Sequence, residues 1–213
     1  MSRSTPSGAP AGPRPYHHGD LRSALLATTR ALLAEGGLEA LSIREVSRRA
    51  GVRNAAAYNH FTGRSDLMRA VVEAAFGELA QVMRAAQGDA VDPLERLRRA
   101  GEGYVRFAMS RPAEFRTMFR PELFACPEPD PKLGKGDAYA VLTESVAACL
   151  AAGAVAGDRE TLVMTAWSIV HGFATLALDG PPAATLATDP HRVEALAREL
   201  TAIVTRGMRP LRP

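Results

Sequence analysis

Residues 42–61 read SIREVSRRAGVRNAAAYNHF, and this stretch decides the fold. Apolar residues recur at helical spacing on both sides of Gly51, which predicts two short helices joined by a turn at Gly51 and Val52. The turn needs a residue that tolerates a positive φ, and glycine adopts such angles without steric penalty. Ser42 and Glu45 have the spacing of a capping box, which predicts where the first helix begins. The stretch therefore has the dimensions of a helix-turn-helix, a pattern that it shares with αα-hairpins that bind nothing.

The two helices are expected to cross closely, because Ser47 is small. The buried side chains that fix the crossing angle are predicted to be Val46, Val52, Ala57 and Phe61. The second helix of the pair is predicted to run from about residue 53 to residue 61.

Helical periodicity continues through the rest of the chain without an alternating strand pattern, so the fold is predicted to be all-α. The helix before the motif should end at residues 36–37, a glycine pair suited to a left-handed C-cap. Later helices are predicted to begin after the N-cap residues Asp92, Asp158 and Asp189, two of which are followed by proline. Residues 121–136 hold four prolines and two glycines and are predicted to form a loop.

Positive charge is concentrated towards the N-terminus. Residues 1–65 contain nine arginines and four acidic residues, a net charge of +5, whereas the remainder carries −2 of the total of +3. This imbalance favours a polyanionic partner, DNA above all, and a solvated surface without a partner is the alternative. Residues 1–15 are rich in Ser, Gly and Pro and are predicted to be a disordered basic arm. Arg3 and Arg14 would either reach a minor groove or only keep the chain soluble.

The sequence offers little for catalysis or metal binding. Its cysteines, Cys126 and Cys149, are too few for a disulfide framework, and no Cys/His cluster suggests zinc. No nucleophile order, metal-ligand spacing or phosphate loop supports an enzyme using His60 or His171, so no catalytic residue, metal or cofactor is predicted. The N-terminus does not have the pattern of a signal peptide. The longest apolar stretch, residues 146–156, is too short to span a bilayer, so a cytoplasmic protein is expected.

Residues 21–72 resemble the DNA-binding domain of the TetR family of repressors. The matching segments are Gly36-Gly37, Leu41-Ser42-Ile43-Arg44, Ala50-Gly51-Val52, Tyr58-x-His60-Phe61 and Arg64. Residues 16–21, 111–119 and 167–172 (WSIVHG) are similar to a subgroup whose C-terminal domain carries a Trp-His-Gly signature. The resemblance implies a three-helix N-terminal helix-turn-helix DNA-binding domain and a larger helical ligand-binding and dimerisation domain.

In this family the second helix of the motif enters the major groove, and the resemblance carries the contacts over position by position. Asparagine is suited to adenine and alanine to the thymine methyl group, while three consecutive alanines leave room for readout of DNA shape. The residues that are thereby expected to contact DNA bases or phosphates are Ser42, Arg44, Arg53, Asn54, Ala55, Tyr58, Asn59, His60 and Arg64. Packing within the small domain is the alternative for Tyr58 and His60.

The resemblance also implies a cavity among the middle helices, with release of DNA when a small apolar effector fills it. Aromatic and methionine side chains suit such a cavity. The candidates are Tyr104, Phe107, Phe115, Met118, Phe119, Met164, Trp167 and His171. By their spacing, the candidates between residues 104 and 119 are mostly core residues. The alternative for Trp167 and His171 is a buried histidine packed on a core tryptophan. Gly172 is expected to let a neighbouring helix approach closely.

The last two long helices, residues 159–178 and 190–207, resemble the pair that forms a four-helix bundle across a two-fold axis in this family. Small residues would permit close contact there, and their packing inside one chain is the alternative. They are Ala166, Gly172, Ala174, Ala177, Ala195, Ala197 and Ala202. A homodimer is expected because one short helix covers few base pairs, so specificity needs two half-sites.

The sequence thus predicts an arm (residues 1–15), a helix-turn-helix DNA-binding domain (residues 16–64) and a helical regulatory and dimerisation domain (residues 65–213). The expected function is a sequence-specific transcriptional regulator, a repressor that a small apolar effector releases from a palindromic operator. The alternative is a constitutive activator or architectural DNA-binding factor without an inducer.

Overall fold

The computed structural model describes residues 18–120 and 137–210, and all regular structure in these ranges is α-helical, as predicted. The helices within them are α1 (His18–Gly36), α2 (Ile43–Arg49), α3 (Asn54–Tyr58), α4 (Arg64–Gln87), α5 (Pro93–Ser110), α6 (Pro112–Met118), α7 (Asp137–Ala151), α8 (Arg159–Asp179), α9 (Ala183–Ala187) and α10 (Pro190–Gly207). The expectations for the arm, for the loop at residues 121–136 with Cys126, and for residues 16 and 17 lie outside the described residues.

The three predicted aspartate N-caps are confirmed. Asp92 accepts a hydrogen bond from a main-chain N–H two residues later, and Asp158 and Asp189 each accept one from three residues later. Each cap satisfies one of the amides that the first turn of a helix leaves without an intrahelical partner. Local sequence therefore sets the starts of α5, α8 and α10.

Some helix boundaries differ from the prediction. α3 ends at Tyr58, because residues 59 and 60 form a turn instead of continuing the helix. Pro112 starts the separate helix α6 after Arg111 leaves the helical range, with φ −138° and ψ 58°. The sequence did not predict α9, a single helical turn behind the prolines that follow α8.

The core lies along α4 and α5, which pack against each other. Val71, Ala75 and Leu79 of α4 are at most 1% exposed. A Cβ at Gly103 of α5 would lie 2.9 Å from the Cβ of an α4 alanine, so this glycine permits the close approach of the two helices. Gly172 meets no atom of another element within 4 Å, so the close approach expected there is wrong within one chain.

Four charged side chains join α1 to α4 and α6. Arg30 of α1 donates to Glu78 of α4 at 2.6 Å, and Arg111 pairs with the same carboxylate. Glu114 of α6 lies 3.5 Å from the Nε of Arg30 and 4.0 Å from an Nη of Arg111. These side chains are between 12% and 38% exposed, so solvent screens their attraction only in part. The network fixes the first helix against the rest of the molecule.

Glu78→Gln should lower the thermal midpoint by about 2–8 °C, because two arginines would then share one carboxylate at a cost of roughly 1–2 kcal/mol. The control is Glu73→Gln, which changes an exposed glutamate of the same helix and should stay within about 0.5 kcal/mol. Thermal denaturation followed by circular dichroism measures both variants. Identical melting curves would show that the network adds nothing to stability.

α8 is apolar but largely exposed. By length and composition alone, it is the one helix of the described ranges that could cross a membrane, and only 22% of its most apolar window is buried. It is longer than residues 146–156, so the prediction that those residues form the longest apolar stretch is wrong. A single helix of this kind is weak evidence for a membrane span.

Candidate functional site

The turn between α2 and α3 has the geometry that the sequence predicts. Gly51 has φ 70°, in the left-handed region where glycine carries no Cβ penalty. The N–H of Val52 donates to the carbonyl of Ser47 at 3.0 Å. The hydroxyl of Ser47 is buried and donates to the carbonyl of Ile43 at 2.7 Å. Ser47 is therefore small enough for the helix crossing, and its buried hydroxyl still has a hydrogen-bond partner.

The capping box at the start of α2 is half formed. The Oγ of Ser42 accepts a hydrogen bond from the N–H of Glu45 at 3.1 Å, as predicted. The carboxylate of Glu45 instead pairs with both ends of the Arg48 guanidinium, at 2.6 and 2.8 Å. The hydrogen bond from Arg48 is the main reason why the pKa of Glu45 lies below its usual value. Arg48 is therefore not a free cation on this surface.

Buried apolar residues and committed arginines hold α2 and α3 in place. Val46, Ala57 and Phe61 are at most 2% exposed, as predicted for the helix crossing. Arg49 of α2 forms two hydrogen bonds to Glu35 of α1, at 2.5 and 2.8 Å. Sequence reasoning assigned no role to these ion-paired arginines, although Glu35 and Arg49 stand at neighbouring helix ends.

The residues predicted to contact DNA lie on α2, on α3, at their ends and at the start of α4. All nine are exposed except His60, which is partly buried; the exposed ones are Ser42, Arg44, Arg53, Asn54, Ala55, Tyr58, Asn59 and Arg64. Tyr58 is 56% exposed, which does not fit the alternative that it only packs the small domain. Arg64 already donates to the carbonyl of Leu38 at 2.7 Å, which the sequence did not suggest.

An aromatic cavity of about 50 Å³ lies among α4, α5, α7, α8 and α10. The described residues that line it are Phe76, Leu79, Met83, Leu97, Arg98, Ala100, Gly101, Tyr104, Phe119, Ala138, Tyr139, Leu142, Ala166, Trp167, Ile169, Val170, Thr201, Val204 and Thr205. Sequence reasoning missed the contributions of α4, α7 and α10, because their apolar residues have the same spacing as any core-facing helix.

Only part of the predicted pocket lines this cavity. Tyr104, Phe119 and Trp167 do so. Phe115 and His171 stand behind them in ring contact with Tyr104, at centroid distances of 5.7 and 6.3 Å. The cavity therefore has a wall of aromatic rings in edge-to-face contact.

Three predicted pocket residues lie elsewhere in the fold. Phe107 is 1% exposed and Met118 is 5% exposed, and neither lines the cavity, so both are core residues. Met164 is 46% exposed on the outer face of α8, so its assignment to the pocket is wrong. Spacing along a helix cannot tell the inner face from the outer face when both are apolar.

A second, open cleft of about 570 Å³ lies between α5, α6, α8, α9 and α10. Its described walls combine apolar side chains such as Met109 and Leu186 with the charged residues Arg106 and Glu194. Trp167 is not among its walls. A molecule bound in this cleft would therefore not touch the tryptophan.

A glycine turn that presents exposed basic and amide side chains, joined to a helical domain with an aromatic cavity, defines the class of helix-turn-helix transcription regulators. Residues 25–71 match the family model for bacterial regulatory proteins of the tetR family, and residues 97–204 match that for the tetracyclin repressor-like C-terminal domain. The second match covers half of the chain, and the protein belongs to the TetR family. Members of this family are DNA-binding transcription regulators.

Solved structures share the whole fold. A protein with unknown function from Rhodococcus sp. RHA1 is 27% identical, with a TM-score of 0.78 over 93% of this chain and 100% of that chain. The TetR family transcriptional regulator PfmR from Thermus thermophilus is 22% identical, with a TM-score of 0.65 over 90% and 98%. The fatty acid degradation regulator FadR from Bacillus halodurans is 13% identical, with a TM-score of 0.67 over 86% and 94%. No curated protein matches the sequence.

Proposed function

We propose that this protein is a cytoplasmic, homodimeric repressor of the Trp-His-Gly subgroup, which a small apolar effector releases from a palindromic operator. Residues 16–64 form its DNA-binding domain and residues 65–213 its regulatory domain. The observation that carries the proposal is the surface of α2 and α3, where the predicted DNA contacts are exposed while the neighbouring arginines Arg48 and Arg49 are ion-paired.

In this proposal α3 lies in the major groove. The side-chain amides of Asn54 and Asn59 are exposed, and each can form two hydrogen bonds with the edge of one adenine. Ala55 can contact a thymine methyl group. Arg44 and Arg53 are exposed and have no ion-pair partner among the described residues, so their charge is available to guanine or phosphate. The guanidinium of Arg64 has further N–H groups beyond the one that binds the Leu38 carbonyl, and these can reach a phosphate.

The outer faces of α8 and α10 support the dimer. Six large hydrophobic side chains are exposed in the described ranges, and four of them lie on these two helices: Met164, Leu176, Ile203 and Ile169, the last of which also lines the aromatic cavity. α8 and α10 pack against each other, so the four side chains belong to adjacent surfaces. A concentration of exposed apolar side chains on two packed helices favours a contact with another protein. Ala174, Ala177 and Ala197 are buried within the chain and serve internal packing instead.

The test is selection of bound sequences from random DNA, with the full chain and with a variant carrying Leu176→Glu and Ile203→Glu. The full chain should recover an inverted repeat with half-sites about one helical turn apart. The variant should be monomeric in light scattering, because like charges would meet across the two-fold axis, and should recover no repeat.

Val91→Glu is the matched control for this experiment. Val91 is 92% exposed between α4 and α5, so an added charge there should leave a dimer that selects the same repeat. Recovery of a single unrepeated motif by the full chain would contradict the palindromic operator. A dimer that persists in the double variant would contradict the α8–α10 interface.

A further inference from the structure

One charged group lines the aromatic cavity in the described ranges, the guanidinium of Arg98. Glu95 accepts two hydrogen bonds from it, and Glu102 accepts a third. The hydrogen bonds from Arg98 are also the main reason why the pKa of Glu95 falls to about 2. The positive charge of Arg98 is thus balanced by two carboxylates of its own helix.

The other polar groups of this lining are also satisfied, apart from one. Burial raises the pKa of Tyr104 and the interaction of its hydroxyl with the Trp167 side chain lowers it; the same hydroxyl lies 2.9 Å from Nδ1 of His171. Burial lowers the pKa of His171, which keeps its ring uncharged at neutral pH. The hydroxyls of Thr201 and Thr205 donate to carbonyls of their own helix, at 2.9 Å in each case.

The exception is Tyr139, whose hydroxyl has no hydrogen-bond partner among the described residues. Its ring stands 5.9 Å from that of Trp167, at an interplanar angle of 64°. A ligand between these rings could therefore make one neutral hydrogen bond. The rest of its surface would meet apolar groups.

We propose that this cavity selects by charge: it takes a flat, uncharged, apolar molecule with at most one hydrogen-bonding group. An ion would lose its hydration shell without gaining a counter-charge, whereas a neutral ring loses little and gains contact with Phe119 and Trp167. The cavity is smaller than the roughly 300 Å³ of a typical ligand site, so the aromatic side chains must move apart on binding. The inference rests on the proposed effector control and specifies the effector class.

Trp167 is the one tryptophan of the sequence and lines the cavity, so its fluorescence reports occupancy. Three probes of equal shape differ in charge: 4-bromobenzyl alcohol, 4-bromobenzoate and 4-bromobenzylammonium. Bromine quenches indole emission on contact. The alcohol should quench Trp167 in a saturable manner, and both ions should bind at least about 100-fold more weakly. Equal quenching by either ion would overturn the inference, as would no quenching by the alcohol.

A double variant, Glu95→Gln with Glu102→Gln, tests the role of Arg98. Both changes keep side-chain size and remove the carboxylates that neutralise the guanidinium. The affinity for 4-bromobenzoate relative to the alcohol should rise at least about tenfold, and the relative affinity for the ammonium should not. An unchanged ratio in a variant with a native circular dichroism spectrum would contradict the proposed pairing effect.

Release of DNA is measured separately, in a gel shift with the same probes. An alcohol that quenches Trp167 but leaves the DNA bound would contradict the proposed effector control and leave the charge selection intact. An ion that quenches Trp167 as strongly as the alcohol and also releases the DNA would support effector control and overturn the charge selection.

Discussion

The full chain carrying Arg44→Ala and Tyr58→Ala should bind operator DNA at least about 30-fold more weakly than the unchanged protein. An arginine that contacts DNA contributes roughly 1–3 kcal/mol, and a dimer loses it in both half-sites, so Arg44 alone accounts for about 2–6 kcal/mol. Both side chains are exposed and have no ion-pair partner among the described residues, so the thermal midpoint should not change. A gel shift at fixed salt on the selected sequence measures the loss.

Arg84→Ala is the control for charge. Arg84 is an exposed arginine near the end of α4, far along the chain from the helix-turn-helix, and its removal lowers the net charge by the same amount per site. Arg84→Ala should bind operator DNA with an affinity within a few-fold of that of the unchanged protein. If Arg84→Ala weakened binding as much as the double variant, general charge and not the α2–α3 surface would determine affinity.

Phe107→Ala should destabilise the protein by about 3–5 kcal/mol and lower the thermal midpoint by roughly 6–20 °C. Phe107 is 1% exposed in the last turn of α5, and its removal leaves a cavity that the packed helices can fill only in part. Sequence reasoning placed this residue in the ligand pocket, whereas it does not line the aromatic cavity. Denaturant and thermal unfolding measure the cost.

Val91→Ala is the matched control, because Val91 is also apolar but 92% exposed. It should change stability by less than about 0.5 kcal/mol. A milder substitution, Phe107→Leu, distinguishes a core role of this residue from a role in the ligand pocket. As a core residue, it should lower the thermal midpoint, while the affinity for 4-bromobenzyl alcohol, measured by quenching of Trp167, should stay within a few-fold of that of the unchanged protein. A normal midpoint with lost quenching would return Phe107 to the pocket.

The structure suggests a route by which a filled cavity would reach the DNA-binding helices. Phe119 at the end of α6 lines the cavity, and Arg111 and Glu114 at the start of α6 belong to the ion-pair network. That network continues through Glu78 to Arg30 of α1. Displacement of Phe119 by a ligand would therefore strain the contacts that fix α1. A ligand controls an equilibrium between two conformations only if it interacts differently with each of them, and this strain would provide such a difference.

Sequence reasoning succeeded where a few neighbouring residues settle the outcome. The helix starts at Asp92, Asp158 and Asp189 and the turn at Gly51 depend on contacts within three or four residues, so each could be predicted without knowing the fold. The placement of Met164 failed because α8 is apolar on two faces, and only packing decides which one turns inward. Arg49 and Arg64 have partners that only the tertiary structure brings near, Glu35 and the carbonyl of Leu38.

The sequence by itself determined that the chain is helical, where its capped helices begin and which residues form the helix-turn-helix, because these follow from backbone preferences and side-chain caps close in the chain. Tertiary structure alone decided which aromatic rings enclose the cavity and which face of α8 turns outward. Those outcomes depend on helices distant in the chain meeting at particular faces, and local periodicity carries no information about that meeting.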